Sequence, residues 1–209
     1  AGAAMSVTAT YPAGVTGSSN YTAFVLSPTT GTLTETLSST ASTPQVVTYT
    51  FTTTANGCAP VVSTTQVTVH PTPVFTNVPA TATICSGDAL NFVPLSDVGG
   101  ATFSWTSAGH ANITGATSGT GAISDILTNT GTSVETMVYT ITVTGPVPHA
   151  CVNAATQTYT VTVNPPVSAL ITNNDADVCE GVAIDIDYST PTAGAAMSVT
   201  ATYPAGVTG

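Results

Sequence analysis

Thr136-Met-Val-Tyr-Thr-Ile-Thr-Val-Thr144 alternates with a period of two. Met137, Tyr139, Ile141 and Val143 share one face, while Thr140, Thr142 and Thr144 share the other. That spacing matches a half-buried β-strand and conflicts with the 3.6-residue period of a helix. Threonine is β-branched and polar, so it suits the wet face of an antiparallel sheet without adding charge. Working outward, Thr158-Tyr-Thr-Val-Thr-Val163 repeats the scheme with Tyr159, Val161 and Val163 inward. Val47-Thr-Tyr-Thr-Phe51, which carries Tyr49 and Phe51, and Val67-Thr-Val69 do the same. Gly, Pro, Asn and Ser clusters separate these runs, and Asn56-Gly57 favours a tight turn. No stretch carries a capped helical stripe. Several short alternating strands in about 95 residues predict a β-sandwich.

Composition narrows the function classes. The 209 residues hold no Lys or Arg against ten acids, giving a formal net charge of −10 and a pI near 4.1. Phosphate recognition needs cationic side chains, so nucleic acid is excluded as a partner. Anionic membrane surfaces are excluded on the same ground. A trypsin-like protease finds no residue to hold in its acidic specificity pocket. With 42% hydrophobic residues the chain is too apolar to be disordered. No apolar run is long enough to insert in a membrane, and no basic leader opens the chain. These features describe a folded, extracellular, protease-facing protein.

The decisive organisational signal is a repeat. Residues 1–17, AGAAMSVTATYPAGVTG, recur identically as 193–209, an offset of 192 (193 − 1). Chance does not produce this, and a stretch slightly longer than one period of a tandem array does. A weaker repeat lies inside, at an offset of 94 (179 − 85). Cys85-Ser-Gly aligns with Cys179-Glu-Gly, Leu90 with Ile184, Phe92 with Ile186, Phe103 with Met197 and Trp105 with Val199. Val161-Thr-Val-Asn-Pro165 aligns with Val67-Thr-Val-His-Pro71 on the same offset. The reading is a complete sandwich over 73–166, with a sister sandwich split around it. Residues 1–72 are the C-terminal part of that sister. Residues 167–209 are a linker and the N-terminal part of its next copy.

Cys85, Trp105 and Cys151 follow the cysteine, tryptophan, cysteine order of immunoglobulin-like sandwiches. A Cys85–Cys151 bond across the core is therefore expected, contributing on the order of 4 kcal/mol in the chain-entropy model. Cys179 is expected to pair with the Cys58 of an adjacent copy. Trp105 is read as a core anchor beside Phe103, Tyr139, Ile141, Tyr159 and Val161, because its sister position is Val199, read as another core residue.

Nothing in the sequence carries catalysis. His70, His110 and His149 occupy turn-like contexts, each without a histidine nearby in the chain, and are read as solvated loop residues. There is no Gly-x-Ser-x-Gly elbow and no phosphate loop. No cofactor is expected. The one weak metal candidate is a Ca²⁺ site at Asp175 and Asp177, in an acid cluster at a junction. The simpler reading makes these linker residues, since the equivalent Pro79-Ala-Thr-Ala-Thr83 has no acids. Asn20-Tyr-Thr22 and Asn112-Ile-Thr114 match the N-glycosylation pattern, which is frequent by chance in a threonine-rich chain.

Ile84-Cys-Ser-Gly87, Phe103-Ser-Trp105, Ile113-Thr-Gly-Ala-Thr-Ser-Gly119, Val138-Tyr-Thr-Ile-Thr142 and Tyr159-Thr-Val-Thr-Val-Asn-Pro165 together resemble the PKD-like repeat of Bacteroidetes surface proteins. Ala55-Asn-Gly-Cys58 and Val67-Thr-Val-His-Pro-Thr-Pro73 resemble the same repeat in the sister unit. Such repeats fill SprB-type gliding adhesins exported by type IX secretion. The resemblance implies tandem immunoglobulin-like (PKD-like) β-sandwiches in an extended filament at the cell surface, a tether for attachment and gliding motility. The implied partners are neighbouring repeats of the same chain and, through other regions, surface polysaccharide or substratum and the gliding machinery. A purely structural extracellular fibre or sheath shares these features except movement. A carbohydrate-binding module would need exposed aromatics grouped on one face, and aromatics make up only 6% of the chain.

Overall fold

The computed structural model describes residues 3–19, 21, 24–26, 30–77 and 81–208. Every element among them is a strand. The first group is β1 (Ala4–Thr10), β2 (Val15–Gly17), β3 (Phe24–Leu26), β4 (Leu37–Ser39), β5 (Gln45–Thr54) and β6 (Val61–Val69). It forms one sheet in the order β3-β1-β5-β6 and a ribbon of β2 with β4. Val7, Ala9, Val15, Val47 and Tyr49 make its core, with Phe51 half-buried against them.

The second group is β7 (Ala82–Cys85), β8 (Thr102–Ser107), β9 (Ile113–Thr114), β10 (Gly119–Thr120), β11 (Thr128–Asn129), β12 (Glu135–Thr144) and β13 (Gln157–Asn164). Its main sheet runs β10-β8-β12-β13-β7, antiparallel except for the parallel pair β13–β7. β9 and β11 pair separately, and isolated bridges Ala89–Ile126 and Phe92–Ile123 extend that second layer. The period-two pattern of β12 dictates the packing. Met137, Tyr139, Ile141 and Val143 are all buried, together with Trp105, Tyr159, Val161 and Val163. Phe103 is half-buried against the same cluster. Phe92 crosses from the opposite layer to stack on Tyr159 at 4.5 Å. On the outer face, Thr136 lies opposite Thr162 and Thr140 opposite Thr158, a polar row on a one-sided sheet. The result is an all-β, sandwich-like architecture with two separate cores.

Residues 167–208 contribute only β14 (Leu170–Asn173) and β15 (Ile186–Ser189), an antiparallel pair. Val199, read as a core residue, is 93% exposed, whereas Val7, its counterpart in the identical stretch, is 0% exposed. Val7 lies on β1 between β3 and β5, opposite Phe51. No such sheet flanks Val199, so the same sequence forms no strand there.

The expected Cys85–Cys151 bond is corrected: no disulfide joins any two of the four cysteines within this chain. Cys85 lies opposite Asn164, at the pole of the sandwich where β13 ends. Cys151 lies beyond the other end of β12, its carbonyl accepting the Gly145 amide at 2.7 Å. The ten residues of β12 separate the two poles by roughly 30 Å. A disulfide requires Cα atoms within about 7 Å. The cysteine, tryptophan, cysteine order holds in this chain, but its cysteines occupy the poles and leave the core to apolar side chains.

Candidate functional site

Three polar arrangements stand out from the alternating strands. The first pairs a carboxylate with a core tyrosine in each unit. Tyr139 Oη donates to Asp125 at 2.8 Å, and Tyr49 Oη donates to Glu35. Each acid lies 14 residues before its tyrosine. Asp125 also accepts the Thr117 amide and hydroxyl at 2.7 Å each. Glu35 accepts Tyr11 Oη at 2.7 Å and the Ser19 amide at 3.2 Å. Burial and then the carboxylate hydrogen bond push both Tyr139 and Tyr49 well above the ordinary tyrosine range. These clusters tie loop to strand.

Trp105 is the second. It packs edge-on against Tyr139 at 5.7 Å, beneath Gly119, which has no side chain to displace the indole. The Trp105 Nε1 is buried without a partner among the described residues. A sugar-stacking platform needs an exposed ring face; this one is covered.

The third is the junction where β6 hands over to the second unit. His70 stacks on His149 with ring centroids 3.6 Å apart. Cys151 Sγ lies 3.9 Å from the His70 carbonyl oxygen, and Asn153 Nδ2 donates to the Pro73 carbonyl at 2.9 Å. Ser42, Pro44, Val98 and Pro146 line the cleft beside them. The fold thus brings together two histidines that the chain separates widely. Only the tertiary contact reveals the pair. His110 instead reaches Glu135 at 3.1 Å.

Among the described residues no group of three or more His, Cys, Asp and Glu is placed to hold a metal. Asp175 accepts the Asp185 amide at 2.7 Å, closing the loop between β14 and β15, and Asp177 is exposed. Asn20 and Thr22 lie outside the described residues, as do Pro79 and Ala80. Asn112 Nδ2 donates to Glu135 at 2.9 Å.

The family model of the PKD-like domain matches residues 82–167, which cover the five-stranded sheet. This supports a PKD-like repeat. Among solved structures, human CDH23 EC21-23 is similar at 13% identity and a TM-score of 0.37, covering 71% of this chain and 55% of that one. The protocadherin gammaB7 EC3-6 cis-dimer structure is similar at 10% identity and a TM-score of 0.30, covering 91% of this chain and 51% of that one. The chain spans about half the length of these two structures. No curated protein matches it. No helix among the described residues is long and apolar enough to cross a membrane.

Proposed function

We propose that the chain is a stretch of a tandem array of PKD-like sandwiches, working as an extracellular adhesive tether of the SprB gliding-adhesin type. The observation that carries this reading is the double fate of one sequence. Ala4–Thr10 is a strand with a buried valine, and its copy at 196–202 is exposed. The copy has the same residues and no sheet beside it.

The two open surfaces are complementary. In the second unit Leu90 is buried and Phe92 stacks over Tyr159. In the first unit the corresponding place is an open groove lined by Leu33, Leu37, Tyr49, Phe51 and Val67. Ile184 and Ile186, which align with Leu90 and Phe92, are exposed at the other end of the chain. In an array, the Ile184 and Ile186 of one copy fill the groove of the next. Burying side chains of this size contributes about 1.5–3 kcal/mol each.

Function then follows from mechanics. Proline-containing connections, Pro71-Thr-Pro73 and Asn164-Pro-Pro166, restrict hinge freedom and keep the units extended. A net charge of −10 per segment keeps neighbouring threads apart. The matched family typically supplies extracellular, non-catalytic adhesion modules. Antibodies against the sandwich, imaged on living cells, test the role: labels that travel along the cell surface are expected. Static labels in interlocked bundles would instead make the molecule a fibre or sheath.

A further inference from the structure

We infer that the cysteines bond across the junctions between successive sandwiches, Cys151 to the Cys179 of the preceding copy and Cys85 to the Cys58 of the following copy. The inference rests on the tandem reading above and adds a covalent architecture to it.

The geometry comes from one carbonyl. In the second unit Cys85 sits opposite Asn164 on the parallel pair β7–β13, and the Ser86 amide donates to the Asn164 carbonyl at 3.0 Å. The internal offset of 94 carries Asn164 to His70 and Cys85 to Cys179. In the complete sister sandwich, therefore, the Cys179 of the preceding copy lies opposite His70, with the Glu180 amide on the His70 carbonyl. That same carbonyl oxygen already has Cys151 Sγ 3.9 Å away, reaching over from the second unit. Paired strands lie about 4.8 Å apart, so the two cysteines meet within the span that a disulfide bridges.

The other junction closes by the same rule. Cys58 sits in the loop between β5 and β6, as Cys151 sits in the loop between β12 and β13. Both loops lie at the pole where the chain enters the unit, and Cys85 and Cys179 mark the pole where it leaves. Each junction receives one cysteine of each kind, and the four cysteines of a period are used up. An intra-sandwich pairing would instead have to cross the whole sheet in both units. Each bond forms as two thiols lose two protons and two electrons to a protein disulfide oxidant, whose own disulfide is reduced to a dithiol.

The mechanical consequence is large. Cys151 to Cys179 is 28 residues (179 − 151), and the next junction bond continues the covalent path from there. At about 3.6 Å per residue this path reaches roughly 100 Å per period. Two sandwiches with strands near 30 Å and their connections already span most of that distance. Load therefore runs along β13 and the segment leading to Cys179, both extended, and bypasses the cores. The oxidised tether is nearly inextensible.

Two measurements on the native full-length chain test this. Chymotryptic digestion without reduction is needed because the segment offers trypsin no site. It is expected to give a Cys58 peptide linked to a Cys85 peptide, and a Cys151 peptide linked to a Cys179 peptide. Cys85 linked to Cys151, or four alkylated thiols, would overturn the pairing. Single chains pulled under oxidising conditions should show no unfolding steps, and after reductant should show repeated equal steps of roughly 300 Å. Such steps in the oxidised chain would overturn the pairing alone. Their absence from the reduced chain would overturn the tandem reading and the pairing with it.

Discussion

Tyr139 and Asp125 share a 2.8 Å hydrogen bond that joins the centre of the main sheet to the loop covering it. Tyr49 and Glu35 repeat the device in the sister unit. Both tyrosines are held neutral by burial and by a carboxylate partner, which raises them above the ordinary value near 10. A group raised in the folded state stabilises the fold fully below its unfolded pKa and loses that contribution as pH climbs past it. Unfolding free energy should therefore stay level with respect to these groups up to about pH 10 and fall above it. Denaturant titrations in steps from pH 8 to 12, with tyrosinate absorbance followed in parallel, check this; unchanged stability at the alkaline end would contradict it.

Replacing Tyr139 with Phe removes the donor and leaves Asp125 its bonds to Thr117. The expected loss is about 1.5–3 kcal/mol, the range for hydrogen bonds to charged groups. Denaturation midpoints of wild type and Y139F, with the denaturant slope unchanged, measure it.

Asn129 is buried with its side chain fully used. Its amide donates to the Ser133 and Val163 carbonyls at 2.8 and 2.9 Å, and its Oδ1 accepts the Gly131 amide at 2.8 Å. Asn129→Ala removes three hydrogen bonds from a buried site and should cost about 1–3 kcal/mol or more. Loss of amide-exchange protection centred on β11 and the end of β13 is the accompanying signature.

Gly115 and Gly121 offer a controlled comparison. Both have positive φ, 89° and 79°. A Cβ at Gly115 would sit 2.0 Å from the Ile126 carbonyl oxygen, a backbone atom, whereas at Gly121 nothing lies within 4 Å. Gly121→Ala should cost about 1–2 kcal/mol, the left-handed penalty alone. Gly115→Ala should cost clearly more, and equal midpoints for the two variants would contradict the close approach.

Much of this architecture was legible in the residues. The alternation around Tyr139, Ile141 and Val143 and around Tyr159 and Val161 dictates strands, because period two leaves one face for the core. Cys85 and Cys151 misled because residue order conveys nothing about which pole a strand end occupies. The parallel placement of β7 beside β13 decides that, and parallel pairing is a long-range choice. Val7 and Val199 show the complementary point: a strand needs its neighbours, and the same alternating segment is buried beside β3 and β5 and exposed without them. The His70–His149 stack was invisible for want of any local pattern. The acid 14 residues before each core tyrosine was present in the sequence as a repeated spacing, Glu35 to Tyr49 and Asp125 to Tyr139.

Hydrogen exchange on the native full-length chain tests the central claim most directly. The stretch Ala4–Pro12 and its copy at 196–204 yield the same peptide, so its isotope pattern samples every copy at once. A tandem array in which each copy completes the next predicts a single slow-exchanging envelope. A fast-exchanging envelope of comparable size would leave half the copies as open as Val199, and would contradict the account.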